Sequence, residues 1–248
     1  MKHILVISSL IFLVAGISCA QSTKKTITFK STDGLLITGD LYLTTDKDAP
    51  VIILYHQARY SRGEYQEIAP KLNAMGFNCL AIDQRSGDAI NGVINETHQR
   101  ASEAGMATKY QDAWPDIESA FYYVTKKLKA SKVIIWGSSY SAAMVFVLGS
   151  EHKARISGIL AFAPGEYFKI DDKSISDYAK EINYPVFITS AKSEEQYWRP
   201  IYEKLNTDEK YFYLPQDEGY HGSKALWEEN EGNDMYWKAV VQFLEQIR

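Results

Sequence analysis

The residues best suited to chemistry are a serine, a histidine and a carboxylate that stand far apart along the chain. Ser139 lies in Gly137-Ser138-Ser139-Tyr140-Ser141, between the apolar, β-branched run 133–136 and a second apolar run that continues to Leu148. That pattern reads as strand, sharp turn and helix. A serine hydroxyl is a poor nucleophile at neutral pH, so it needs a base, and the base needs an acid to orient it. His221, in Gly219-Tyr220-His221-Gly222, follows the run 210–214 and is the candidate base; His98 and His152 sit in polar surroundings, and His56 precedes the serine. The candidate acids are Glu194 and Glu195, in the loop after the run 185–189, with Asp171, Asp172 and Asp177 as another location. Each has a plain alternative. The serines would cap a helix, His221 would be a satisfied loop histidine, and Glu195 would sit in the first turn of a helix, where acids suit the dipole.

Gly137-x-Ser139-x-Ser141 resembles the nucleophile elbow Gly-x-Ser-x-Gly, whose flanking positions must be small because strand and helix backbones approach there. Gly137 meets the demand fully and Ser141 nearly. Elbow, downstream acid and terminal histidine, in that order, look like the α/β-hydrolase family, and the compact length resembles its dienelactone-hydrolase-like branch. The likeness runs over nearly the whole chain beyond residue 20. It implies an oxyanion site made of two backbone N–H groups, one from Tyr140 and one from Gln57 or Ala58, since His56-Gln57 stands where the family has His-Gly. It also implies that the acid is Glu194, which stands where the family pattern His-Gly-x-x-Asp has its acid, with Glu195 as runner-up, and that the charges of Asp83-x-Arg85-x-Gly87 brace neighbouring loops. The reaction implied is acyl transfer to water through an acyl-serine, most simply hydrolysis of a small, polar carboxylic ester. A peptidase of the same fold and a catalytically silent binding protein are the alternatives, the latter motivated by the departures at Gln57, Ser141 and Glu194.

The rest of the chain must place these residues. Alternating runs 24–30 and 35–43 flank Asp33-Gly34, a hairpin signal. The run 51–55 is continuously apolar, as a strand buried on both faces is, and 77–82, 133–136, 156–162, 185–189 and 210–214 read as further strands. Helical patterns fall at 64–75, 109–129 (with Pro115 as an irregularity), 139–149, 195–205 and 235–247. The expected fold is an α/β, doubly wound, mostly parallel eight-stranded sheet with an antiparallel N-terminal hairpin, with residues 21–248 as one domain. Ligands bind at the carboxyl rim of such sheets. The segment 163–184, where relatives insert a lid, is short and rich in charged residues, which argues against a lipase for long acyl chains. Arg59, Tyr60, Arg62, Arg85, Trp136, Tyr140, Trp198 and Tyr220 are mapped near the rim, and of these Arg59, Tyr60, Trp136 and Tyr220 are the expected substrate contacts, with surface ion pairing to Glu64 or Asp83 as the alternative for Arg59 and Arg62.

Residues 1–20 have a basic start, an apolar core and a small-residue end, the layout of a secretory leader. Export to the periplasm or exterior is expected, with a membrane anchor only if Cys19 is lipidated. Beyond the leader the one cysteine is Cys79, so no internal disulfide is available. A net charge of −4 gives no basic surface for nucleic acid. No residue spacing resembles a metal site such as His-Glu-x-x-His, and the expected partner is a small-molecule substrate with no cofactor.

Overall fold

A computed structural model describes residues 23–248; the leader and Cys19 lie outside the described residues. Eight strands form one sheet: β1 (Thr23–Lys30), β2 (Leu36–Leu43), β3 (Val51–Tyr55), β4 (Asn78–Ile82), β5 (Val133–Ser138), β6 (Ile156–Phe162), β7 (Val186–Thr189) and β8 (Lys210–Tyr213), in the spatial order β1-β2-β4-β3-β5-β6-β7-β8. β1 and β2 pair antiparallel across the Asp33-Gly34 turn, β2 pairs antiparallel with β4, and every later pairing is parallel. The order reverses between β3 and β5, and the loops after these strands carry Gln57 and Ser139 to the same rim.

Every residue of β3, β4 and β5 is buried, because helices cover both faces of the sheet. Among the described residues the α-helices are α1 (Ile68–Ala74), α2 (Glu96–Glu103), α3 (Trp114–Tyr122), α4 (Tyr140–Glu151), α5 (Ile175–Ala179), α6 (Glu195–Lys204) and α7 (Asn233–Ile247). α4 is buried on all sides from Tyr140 to Gly149, so its sequence shows a continuous apolar run rather than a stripe. None of the helices among the described residues is long and apolar enough to cross a membrane.

Two expected helices are broken. The pattern at 109–129 resolves into a 3-10 turn (Gln111–Ala113), α3 and a π turn (Tyr123–Lys127), and Pro115 is a helix-starting residue, not an interior irregularity. Proline suits that place because its missing N–H would have no partner in the first turn. The pattern at 64–75 splits into a 3-10 turn (Arg62–Tyr65) and α1, and that early turn tucks Glu64 into the interior.

Candidate active site

Ser139 has φ 58 and ψ −121, a backbone state that a residue bearing a Cβ adopts only when the surrounding structure imposes it. The turn imposes it here: β5 ends at Ser138, α4 starts at Tyr140, and the Ser139 N–H donates to the Phe162 carbonyl at 2.7 Å. A Cβ on Gly137 would lie 2.2 Å from the Ser141 carbonyl oxygen and 2.6 Å from the Ala142 nitrogen, both backbone atoms. We therefore expect Gly137→Ala to cost about 3 kcal/mol, at the upper end for overpacking, read as a shifted denaturant midpoint, and to disrupt the elbow. The Ser141 side chain is accommodated and used. Its hydroxyl donates to the His56 carbonyl at 2.6 Å and accepts from Gln84 Nε2 at 2.7 Å, tying the elbow to the loop after β3.

The loop after β8 brings His221 to the same rim. His221 Nδ1 lies 2.5 Å from Glu194 Oε1, across 27 residues of sequence. Glu194 is oriented by its other oxygen, Oε2, which accepts the Ala191 N–H at 3.2 Å. Glu195 points elsewhere and pairs with Arg199 one turn along α6, and Asp177 caps α5 through Ser174. The structure thus brings Glu194, and not Glu195 or Asp177, to the histidine. Gly222 lets this loop close: a Cβ there would sit 2.4 Å from Gln57 Oε1 and 2.6 Å from Ser138 Oγ.

Among the described residues no hydrogen bond joins Ser139 to His221. The Tyr167 phenol stands near Ser139 and donates to the Ala163 carbonyl at 2.8 Å. Burial holds the Tyr167 hydroxyl up at about 12, so it is neutral. Catalytic contacts often tighten only when substrate is bound. Tyr167 comes from the segment read as a charged, lidless stretch, and the signal for it was an aromatic just past Ala163-Pro164-Gly165. Tyr110, stacked on Tyr140 with ring centroids 4.8 Å apart, is a second aromatic that the sequence reading missed.

The oxyanion candidates separate. The Gln57 N–H is already committed, donating to Glu64 Oε2 at 2.8 Å. That removes Gln57 from the pair of alternatives and leaves the Ala58 N–H, together with the Tyr140 N–H in the first turn of α4, where helix geometry supplies no internal partner. His56 fixes the loop from beneath. It is fully buried, Nε2 accepts the Gln84 N–H at 2.9 Å, and Nδ1 therefore carries the proton and donates to the Gln57 carbonyl at 2.8 Å. Burial drives this imidazole down to about 4, so it stays neutral.

Among the residues mapped near the rim, the expected substrate contact Trp136 is corrected. Trp136 is fully buried, stacks on Phe162 and donates to Ser223 Oγ at 2.9 Å, so it braces the histidine loop from inside the sheet. Trp198 is also fully buried and donates to Ser190 Oγ at 2.7 Å. Arg62 pairs with Asp83, Asp40 and Glu96, and Arg85 with Asp116 and Asp33 at 2.7 Å each, as braces between loops. The side chain of Tyr140 is buried against Ser86 and Gln84. Arg59 is exposed, with no ion-pair partner among the described residues. Tyr60 and Tyr220 are half-buried, and Tyr60 stacks on Trp227. Away from the rim, Glu118, Glu151 and His152 bring ligand-type atoms within 4.8 Å of one another near the far end of α4.

The sequence profile of the serine aminopeptidase S33 family matches residues 46–198, well over half of the chain. The chain belongs to this family of hydrolases. No curated protein sequence matches it. Among solved structures, the dienelactone hydrolase of Anabaena variabilis superposes with a TM-score of 0.72 at 13% identity, covering 92% of this chain and 99% of that one. An esterase from Pyrococcus furiosus gives a TM-score of 0.68 at 16% identity, covering 91% and 93%. The acylaminoacyl peptidase of Pyrococcus horikoshii gives 0.62 at 18%, with 91% of this chain aligned to 42% of that one. At such identities the likeness shows the fold, and the fold is that of a dienelactone-hydrolase-like α/β-hydrolase. Within the S33 family fold, the elbow, the Glu194–His221 pair and the loop after β3 occupy the loops that follow β5, β7, β8 and β3.

Proposed function

We propose that this protein is an exported serine hydrolase that cleaves a small, polar carboxylic ester through an acyl-serine intermediate. The observation that carries the proposal is the contact between His221 Nδ1 and Glu194 Oε1 beside an elbow serine. With Nδ1 held by a carboxylate, the Nε2 of neutral His221 is the free base. Ser139 Oγ attacks the ester carbonyl carbon as its proton passes to His221 Nε2. The carbonyl oxygen becomes an oxyanion facing the Ala58 and Tyr140 N–H groups. Collapse breaks the bond to the alcohol, which takes the proton from His221. Water, deprotonated by His221, then repeats the sequence on the acyl-serine and releases the acid. Glu194 stabilises the transient imidazolium, as the orienting acid does in such triads.

Arg59 adjoins Ala58 and is exposed, which supports a polar or anionic acyl group. For an ester bearing a remote carboxylate, Arg59→Ala is expected to raise KM about tenfold, the worth of roughly one exposed charge-assisted hydrogen bond, with kcat for a neutral ester of equal size unchanged. Peptide cleavage is the second reading. A cavity of about 640 Å³ lined by Asp217, Glu218, Glu231 and Tyr220 adjoins the histidine loop, and carboxylates there would suit the free amine of a peptide. Ester and amide substrates with the same acyl group separate the two. Faster turnover of the ester, abolished in Ser139→Ala, supports the proposal; turnover of the amide at a comparable rate favours the peptidase; and turnover undiminished by Ser139→Ala overturns both.

A further inference from the structure

The loops that meet at the rim share one buried group that the mechanism above does not use. Glu64 is fully buried, and both carboxylate oxygens are engaged. Oε2 accepts the Gln57 N–H at 2.8 Å, and Oε1 accepts the Ser138 hydroxyl at 2.7 Å. Ser138 Oγ in turn accepts the Ser223 N–H at 2.9 Å, two residues past His221. The Glu64 carbonyl also accepts from Trp227 Nε1 at 2.9 Å. One carboxylate therefore touches the residue before Ala58, the residue before Ser139 and, through Ser138, the loop that carries His221.

Resting on the serine-hydrolase reading, we propose that ionised Glu64 is a positioning residue that sets the oxyanion loop, the nucleophile and the histidine loop in mutual register. Two donors converge on its oxygens, and a carboxylate can accept from both, whereas a neutral acid must use one oxygen as a donor. Protonation turns the contact with Ser138 around: the acid then donates to a hydroxyl that already receives the Ser223 N–H, and the serine proton loses its acceptor. Burial raises this carboxyl to about 7, although the Ser138 and Gln57 bonds and the nearby His221 oppose the rise. The titratable groups that face it are His221 from the loop after β8 and Tyr60 and Tyr65 from its own segment, while Gln57, Ser138 and Ser223 are neutral. Activity then needs two deprotonations, of His221 to act as base and of Glu64 to hold the loops.

Glu64→Gln keeps the shape of the neutral acid, with one accepting oxygen and a donor in place of the other, so it removes the charge with little change in volume. For the full-length enzyme acting on a neutral ester, kcat at pH 8 is expected to fall about ten- to a hundred-fold with KM unchanged, because oxyanion and nucleophile geometry act on the transition state. The acid limb of log(kcat/KM) is expected to change from a limiting slope of two in the wild type to one in Glu64→Gln. If that variant does not fold, Ser138→Ala removes one donor from the carboxylate, and the midpoint of its acid limb is expected to move to higher pH. Wild-type kcat and an unaltered acid limb in the variant would overturn the role. A wild type unreactive toward a fluorophosphonate probe would overturn the serine-hydrolase reading and this inference with it.

Discussion

His221→Ala is expected to lower kcat by roughly six powers of ten, about the loss seen when the base of a serine–histidine pair is removed. The size follows from the chemistry. Without an imidazole, no described group beside Ser139 accepts its proton at neutral pH, since the Tyr167 phenol is held neutral. KM should hardly move, because the proposed substrate contacts lie on the loop after β3 and around Tyr220 rather than on the imidazole. The measurement is single-turnover ester hydrolysis, with circular dichroism to show that the variant is folded. A kcat within tenfold of wild type would show that another base serves Ser139.

The second large effect distinguishes adjacent glutamates. Glu194→Gln is expected to lower kcat about ten-thousand-fold, because an amide at 2.5 Å from His221 Nδ1 stabilises the wrong tautomer and no longer balances the imidazolium. Glu195→Gln loses only a half-exposed pair with Arg199 within one helix, worth at most about 0.5 kcal/mol, and leaves kcat unchanged. The comparison is sharp because the two side chains are neighbours in sequence and face different partners. Equal losses in both variants would contradict the assignment.

Much of this was readable from residue order. The Asp33-Gly34 hairpin, the buried runs at 51–55 and 133–136 and the small-residue elbow each reflect a local rule: turn chemistry, burial on both strand faces, steric clearance. The Glu194 assignment rested instead on the resemblance, which puts the acid on the loop after the strand preceding the histidine strand. What escaped were features set by which way a side chain faces. Trp136 lies three residues before Ser139 on a strand whose every residue is covered, so its indole enters the core rather than the rim. Pairing was foreseen for Arg62 and bracing for Arg85, but the carboxylate partners Asp40, Asp33 and Asp116 come from distant segments that only the folded sheet brings near. Gln57 was a sound oxyanion candidate by position. It failed because Glu64, read simply as the first residue of a helix, turns inward and takes its N–H. Tyr167 was hidden for a related reason: charge content described the segment 163–184 as a whole, while a single aromatic in it turns back toward the elbow and bonds the Ala163 carbonyl.

The most direct test is to react the purified protein with a fluorophosphonate and locate the adduct by intact mass and peptide mapping. The account predicts one adduct, on Ser139, lost in Ser139→Ala and strongly slowed in His221→Ala. An unmodified protein, or an adduct that maps to Ser138 or Ser141, would contradict it.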